Sequence, residues 1–322
     1  MPAASPFSSP IANAMDEFLK PLMRWVSTKN AAEVIINRYE EVILECHGEA
    51  PRSIRDPHLN QEYFERLARM LSNKLEIIDF EKKPILATKL PGGHRLQLNI
   101  GSFVLSGIAV SVRVASSREF SFEDYACSEE TVALLKRAMV EGLNIVISGG
   151  TFSGKTQFMN ALGKHIPEGQ RLLTAEDVDE LKIDHVHNQA RFIVNRLATR
   201  EDITYRDVID SMTRMRPDRI WVGEMSIQNT WILLRLLDTG HSGLLTTIHA
   251  DSPTGVFDAI ERNIQLAGYD TAGVRQFFTD KLDIVVQIRR RPGTHIREVS
   301  QIYQRGQPLP TRPTLFEPTA SH

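Results

Sequence analysis

The stretch "GGTFSGKT", residues 149–156, constrains this chain more than any other feature. Gly149, Gly154, Lys155 and Thr156 satisfy G-x-x-x-x-G-K-[ST] without a mismatch, the pattern of a loop that cradles phosphates. Its neighbours suit that role. "LNIVIS" before it is a continuous apolar run of the kind found in a buried parallel strand, and "KTQFMNALGKHI" after it reads as a helix. Glycines let the loop turn so that successive backbone N–H groups point inward at anionic oxygens, and the helix aims its N-terminal dipole at the same place. The expected nucleotide-binding residues are Gly149, Gly150, Thr151, Phe152, Ser153, Gly154, Lys155, Thr156 and Gln157. Lys155 would reach the β and γ phosphates of ATP, and the Thr156 hydroxyl would ligate Mg²⁺.

The chain has 322 residues, room for two cored domains. Hydrophobic content of 42% and charged content of 24% are those of an ordinary globular protein. A formal net charge of −2 gives no bulk argument for nucleic-acid binding, and "RRR" at 289–291 reads as a solvated strand end. Two cysteines without metal spacing argue against a disulfide or zinc scaffold and suit a reducing compartment. The N-terminal run lacks the pattern of a secretory signal, and no stretch has the apolar length of a membrane span. A cytoplasmic protein, peripheral to a membrane, is the expectation.

Two textures divide the sequence. Residues 1–14 and 306–322, rich in Pro, Ser and Thr, read as poorly ordered. Between 15 and 114, "EVIINRYEEVILE" reads as a hairpin. "NQEYFERLARMLSNKL" carries apolar residues three and four apart, a helix with Asn60 as its cap. "PILATKL", "HRLQLNI" and "GIAVSVRV" add strands, with Gly92–Gly93 as a turn. These predict a small α+β domain. The polar, aperiodic 115–128 reads as a linker. From 129 to 305, "EETVALLKRAMVEG" is a helix ending at Gly142, and the runs "LNIVIS", "RLLTAED", "RIWVGE", "GLLTTIHA" and "DIVVQI" recur with helices between them. That alternation predicts an α/β domain with a largely parallel sheet.

Phosphoryl transfer to water needs a metal and an acceptor for the water's proton. Glu224 closes "RIWVGE" and Glu176 closes "RLLTAED", both at strand ends where open α/β sheets place their ligands. Asp177, beside Glu176, would serve equally as a helix cap. "TGHSGLLTTIHAD" places His241 and His249 around a strand, and His249 is the candidate sensor of the γ-phosphate.

Taken in order, "GGTFSGKT", "LLTAEDVDEL", "MRPDRIWVGE" and "TGHSGLLTTIHADSP" resemble the Walker A loop, Asp box, Walker B segment and His box of the secretion ATPases. That superfamily drives type II and type IV secretion and type IV pili. The upstream half is most similar to the conjugation-type branch of type IV secretion systems. The resemblance implies a RecA-like ATPase domain behind the α+β domain, with ATP and Mg²⁺ at the domain junction. It further implies a homohexamer docked on the other components of an inner-membrane secretion channel. It makes Lys155 and Thr156 the phosphate and Mg²⁺ residues, Glu176 and Glu224 the water-positioning and metal-side carboxylates, and His249 the His-box residue. Arg113 matches an arginine by which the N-terminal domain reaches the nucleotide; its other reading is an exposed strand residue. One departure stands out: relatives carry an arginine two residues after the Walker B glutamate, where this chain has Ser226. A pilus-retraction or type II motor, and a nucleotide-gated docking subunit with little turnover, are the alternatives. A small-molecule kinase is a third alternative, but no second substrate-binding or lid segment follows the loop in this sequence.

Overall fold

The computed structural model describes residues 10–46, 49–74, 82, 84–115, 120–194, 203–291 and 296–309. The chain divides into two compact units, Met1–Arg118 and Glu119–His322.

The first unit is one sheet under two helices. The hairpin is present as β1 (Ala31–Arg38) and β2 (Glu41–Cys46), joined by β3 (Arg52–Arg55), β4 (Ile85–Lys89), β5 (Arg95–Ile100) and β6 (Ile108–Arg113) in the antiparallel order β3-β2-β1-β6-β5-β4. Side chains alternate across the sheet. Val34, Ile36, Val42, Leu44, Leu96, Leu98, Val110 and Val112 face one core, shared with Leu19, Leu22 and Val26 of α1 (Pro10–Val26) and Phe64, Leu67 and Leu71 of α2 (Gln61–Lys74). Asn60 caps α2 through the Tyr63 N–H at 3.0 Å, in line with the sequence reading.

The helix α1 corrects that reading. A segment taken as disordered through residue 14 is helical from Pro10, because Leu19, Leu22 and Val26 lie three and four apart and bury against the sheet. Buried Asp56 fastens this helix. It accepts from the Trp25 indole N–H at 2.7 Å and the His58 N–H at 3.1 Å, and it pairs with Arg24.

The second unit is a seven-stranded sheet, β13-β12-β7-β11-β10-β8-β9. Its strands are β7 (Ile145–Gly149), β8 (Leu172–Glu176), β9 (Gln189–Ile193), β10 (Arg219–Val222), β11 (Leu245–Ile248), β12 (Ile284–Arg290) and β13 (Arg297–Gln304). All pairings are parallel except β12–β13. Both faces are covered, so β7, β8, β10 and β11 are buried at every position and mostly apolar, with Ser148, Thr174, Glu176, Arg219, Thr246 and Thr247 as their buried polar residues. Val146, Leu173, Val222 and Val285 face a core with α5 (Tyr205–Thr213), α6 (Thr230–Asp238), α7 (Pro253–Leu266) and α8 (Val274–Lys281). Ile145, Ile147, Leu172, Trp221 and Val286 face a second core with α3 (Glu129–Glu141) and α4 (Lys155–Gly163). As expected, α3 ends on a left-handed Gly142.

The segment read as a linker to 128 is instead structured from Phe120. Phe122–Tyr125 form a 3₁₀ turn that buries Phe122 and Tyr125 against Phe158 of α4. Its polar composition hid three aromatics that belong to the core. Of the strand-end arginines, Arg289 and Arg291 pair with Glu298 on β13. The tail from 310 onward lies outside the described residues.

One buried polar residue holds three strand entrances together. The Asn144 side chain accepts from the Leu244 N–H and donates to the Lys281 carbonyl, both at 3.0 Å, while its N–H donates to Asp283 at 2.8 Å. Asn144→Ala orphans a buried N–H and a buried carbonyl, and should cost about 2–4 kcal/mol of stability. Urea unfolding of the two proteins measures it.

Candidate active site

The phosphate loop leaves the C-terminal end of β7, with β12 on one side and β11 on the other, the switch point where open parallel sheets bind ligands. Gly149 is sterically required: a Cβ there would lie 2.5 Å from the Ile288 carbonyl oxygen and 2.6 Å from Ser153 Oγ. Gly154 adopts φ 94°, and its carbonyl accepts from the Tyr125 hydroxyl at 2.7 Å. Burial pushes that hydroxyl's pKa up, which keeps it a donor. Ser153 Oγ closes the loop on the Gly150 carbonyl at 2.9 Å. Phe152 sits at φ 61°, left-handed for a residue with a side chain.

Lys155, only 8% exposed, heads α4 and turns its ammonium back into the loop. Nζ donates to the carbonyls of Gly149 and Gly150, each at 2.9 Å, and lies 3.3 Å from His249 Nδ1. His249 Nε2 is 3.0 Å from Glu224 Oε1. An ammonium only donates, so Nδ1 accepts and Nε2 carries the hydrogen that meets the carboxylate. Three motifs far apart in sequence thus form one continuous polar chain. Burial pulls the Lys155 pKa down to about 8, and the Glu224 charge opposes that shift.

Glu224 follows β10, and Asn229, fully buried, holds the turn after it. The Asn229 amide donates to the Glu224 carbonyl and accepts from the Ser226 N–H, both at 2.8 Å. Thr247 Oγ1 donates to the Gly223 carbonyl at 2.8 Å, tying β11 to the same turn. Glu176 ends the neighbouring β8 and is 2% exposed. Its Oε1 accepts the N–H groups of Glu180 and Leu181 at 2.9 Å each, while Oε2 is buried, takes no hydrogen bond and lies 3.7 Å from Arg191. Burial raises its pKa, against those two N–H bonds and the Arg191 charge.

His241 takes no part in this chain of contacts. His241 Nδ1 lies 2.9 Å from Thr239 Oγ1 at an exposed corner. Arg113 ends β6 in the first unit, across from Glu33 and Arg95. Sequence reasoning missed Gln287. It is buried on β12, bonded to Ser148 beside the phosphate loop, and donates at 3.2 Å to the Ala250 carbonyl just past His249. A lone amide inside the apolar run "DIVVQI" was the available signal.

The residues present fit a nucleotide and its magnesium ion. The loop's backbone turns and the buried lysine suit phosphates, and Gly150 faces open space. Among the described residues no group of three or more His, Cys, Asp or Glu forms a metal cage; magnesium in such sites takes one or two protein oxygens plus phosphates. Phosphate oxygens beside Nζ favour its charged form. Since the free Lys155 titrates near pH 8, nucleotide binding at pH 8.5 should take up part of a proton, and at pH 6.5 almost none through this group. Calorimetry in buffers of different ionisation enthalpy reads that number directly. Affinity should weaken as pH rises through 8.

This chain resembles known proteins along most of its length. The family described as "Type II/IV secretion system protein" matches residues 12–297. The type IV secretion system protein VirB11 of Bartonella henselae is 26% identical over 327 residues, covering 88% of this chain and 91% of its own length. A probable conjugal transfer protein TrbB of Sinorhizobium fredii is 29% identical, covering 85% and 83%. Among solved structures, the Brucella suis VirB11 ATPase in complex with sulphate is 25% identical with a TM-score of 0.50, covering 91% of this chain and 95% of that one. The pilus retraction motor PilT with bound ADP shares the fold, with a TM-score of 0.63 at 17% identity, covering 89% and 82%. With the family model matched over residues 12–297, most of the chain's length, the chain belongs to the type II/IV secretion system protein family.

Proposed function

We propose that this chain is a Mg²⁺-dependent ATPase that powers a type IV secretion or conjugation machine, working as a homohexamer on the cytoplasmic side of an inner-membrane channel. The observation that carries the chemistry is the Lys155–His249–Glu224 chain at the ends of β7, β11 and β10. The branch rests on the similarity to VirB11 and TrbB proteins along most of the chain.

In this reading ATP lies along the loop from Gly149 to Gln157. Lys155 leaves the loop carbonyls for the β and γ phosphates, and Thr156 and Glu224 would hold the Mg²⁺ ion, which would offset the phosphates' charge. Glu224 accepts the proton of the attacking water. His249, already hydrogen-bonded to Glu224, turns to the γ-phosphate and so reports its presence. Glu176 Oε2, buried without a hydrogen bond, is suited to position the water. Arg113 reaches the nucleotide from the N-terminal domain, where a guanidinium binds phosphate as a fork. ATP and ADP then favour different arrangements of the two domains, and that difference is the work stroke.

Lys155→Ala should abolish phosphate release while circular dichroism stays unchanged; equal activity would end the phosphate-loop assignment. Glu224→Gln should bind ATP with Mg²⁺ yet release little phosphate. If the wild-type oligomer turns over no faster than this variant, the docking subunit is the better reading.

Assembly supplies the second test. A non-hydrolysable ATP analogue with Mg²⁺ should shift the protein to hexamers in light scattering, because ligand bound in the assembled state stabilises it by mass action. Arg113→Ala should weaken nucleotide affinity by about tenfold to a hundredfold, one charge-assisted contact. A protein that is monomeric at every nucleotide concentration would rule out the ring.

A further inference from the structure

A second opening lies beside Glu224. A cleft of about 400 Å³ is lined by Glu224, Ser226, Gln228 and His249 on one wall and by Ala259 and Arg262 of α7 on the other. It therefore reaches both members of the hydrolytic pair. Arg262 brings the cleft's one permanent cation. It is exposed, and no carboxylate among the described residues lies within ion-pair distance of it.

The helix that carries this arginine is anchored to the turn after β10. The adjacent Asn263 donates to Thr230 Oγ1 at 3.2 Å, and Thr230 Oγ1 donates to the Ser226 carbonyl at 2.6 Å. Asn229 clamps the same turn from within. The helix α7 is thus bonded to the turn carrying Glu224 at Asn263, the residue next to Arg262 in sequence. Ala259, one helical turn earlier, leaves room in the cleft. Ser226 faces the same space with a small uncharged side chain.

We propose that Arg262 is a positioning residue for hydrolysis, supplying from α7 the positive charge that the Glu224–Ser226 turn lacks. A carboxylate beside the terminal phosphate repels the charge spread over the phosphoryl oxygens during transfer. A guanidinium sharing the Glu224 cleft offsets the repulsion, stays charged at every working pH and reaches on a long stem. The charge acts on the approach of phosphate to Glu224 and His249, so it bears on turnover more than on nucleotide affinity, which the phosphate loop sets.

The proposal rests on the ATPase reading, and the experiment separates the two. Full-length protein is assayed with Mg²⁺ and ATP as wild type, Glu224→Gln, Arg262→Ala, Arg262→Lys and the double variant Arg262→Ala with Ser226→Arg. Activity surviving in Glu224→Gln would indict the hydrolytic assignment itself. With that control inactive, Arg262→Ala should lower kcat about tenfold while KM stays within about twofold, the scale of one charge-assisted interaction made in the transition state. Arg262→Lys, or the relocated arginine at 226, should recover at least about a third of the loss at an unchanged melting temperature. An undiminished kcat in Arg262→Ala overturns the proposal. So does a loss that neither restored charge repairs, which would mark the residue as structural.

Discussion

A buried ammonium sets the terms for the second unit. Lys155 is held where water is scarce, so its charge must be met by oriented acceptors or given up. The carbonyls of Gly149 and Gly150 and the ring of His249 meet it. Each comes from a different constraint: the loop carbonyls from the steric demand for glycine at 149, the histidine from the end of β11. The lowered pKa of Lys155 records how incomplete that solvation is. An anion arriving at the loop offers what the interior does not, and the protein is built around that difference.

Around this chain, neutral polar side chains do the aligning. Asn144 and Gln287 are buried amides that bridge separate segments, and buried Asn229 braces a single turn. An amide offers both a donor and an acceptor without the desolvation cost of a charge, so it can fix the relative height of adjacent strands. Gln287 links the residue before the phosphate loop to the residue after His249. Asn229 sets the height of Glu224. The charged groups meet at hydrogen-bond distance because the uncharged ones prescribe the register.

The two glutamates show how alike sequence contexts diverge. Both end parallel strands, and Gly223 allows Glu176 Cγ to pack against the backbone beside Glu224. Yet Glu224 faces a cleft and touches His249, whereas Glu176 is enclosed and spends one oxygen on the N–H groups of 180 and 181. Their environments differ: Glu224 lines an open cleft, while Glu176 ties down the loop that follows it with Oε1 and keeps Oε2 buried without a hydrogen bond.

Much of the second unit was legible because buried parallel strands write themselves as uninterrupted apolar runs and the phosphate loop demands glycine, lysine and threonine at fixed offsets. The helix over 61–74, the hairpin at 31–46 and the end of α3 at Gly142 followed equally from periodicity and caps. Helix α1 and the aromatic turn at 122–125 did not. Proline, serine and charge masked apolar positions that only a partner surface makes meaningful. Sequence alone singled out the candidate residues for the chemistry, since residue type and local spacing are properties of the chain. Tertiary structure alone decided that His249 bridges Lys155 and Glu224, that Gln287 aligns them and that Arg262 shares the cleft of Ser226. Those contacts join strands and helices tens of residues apart, and their distances are set by sheet register and packing, which no local pattern encodes.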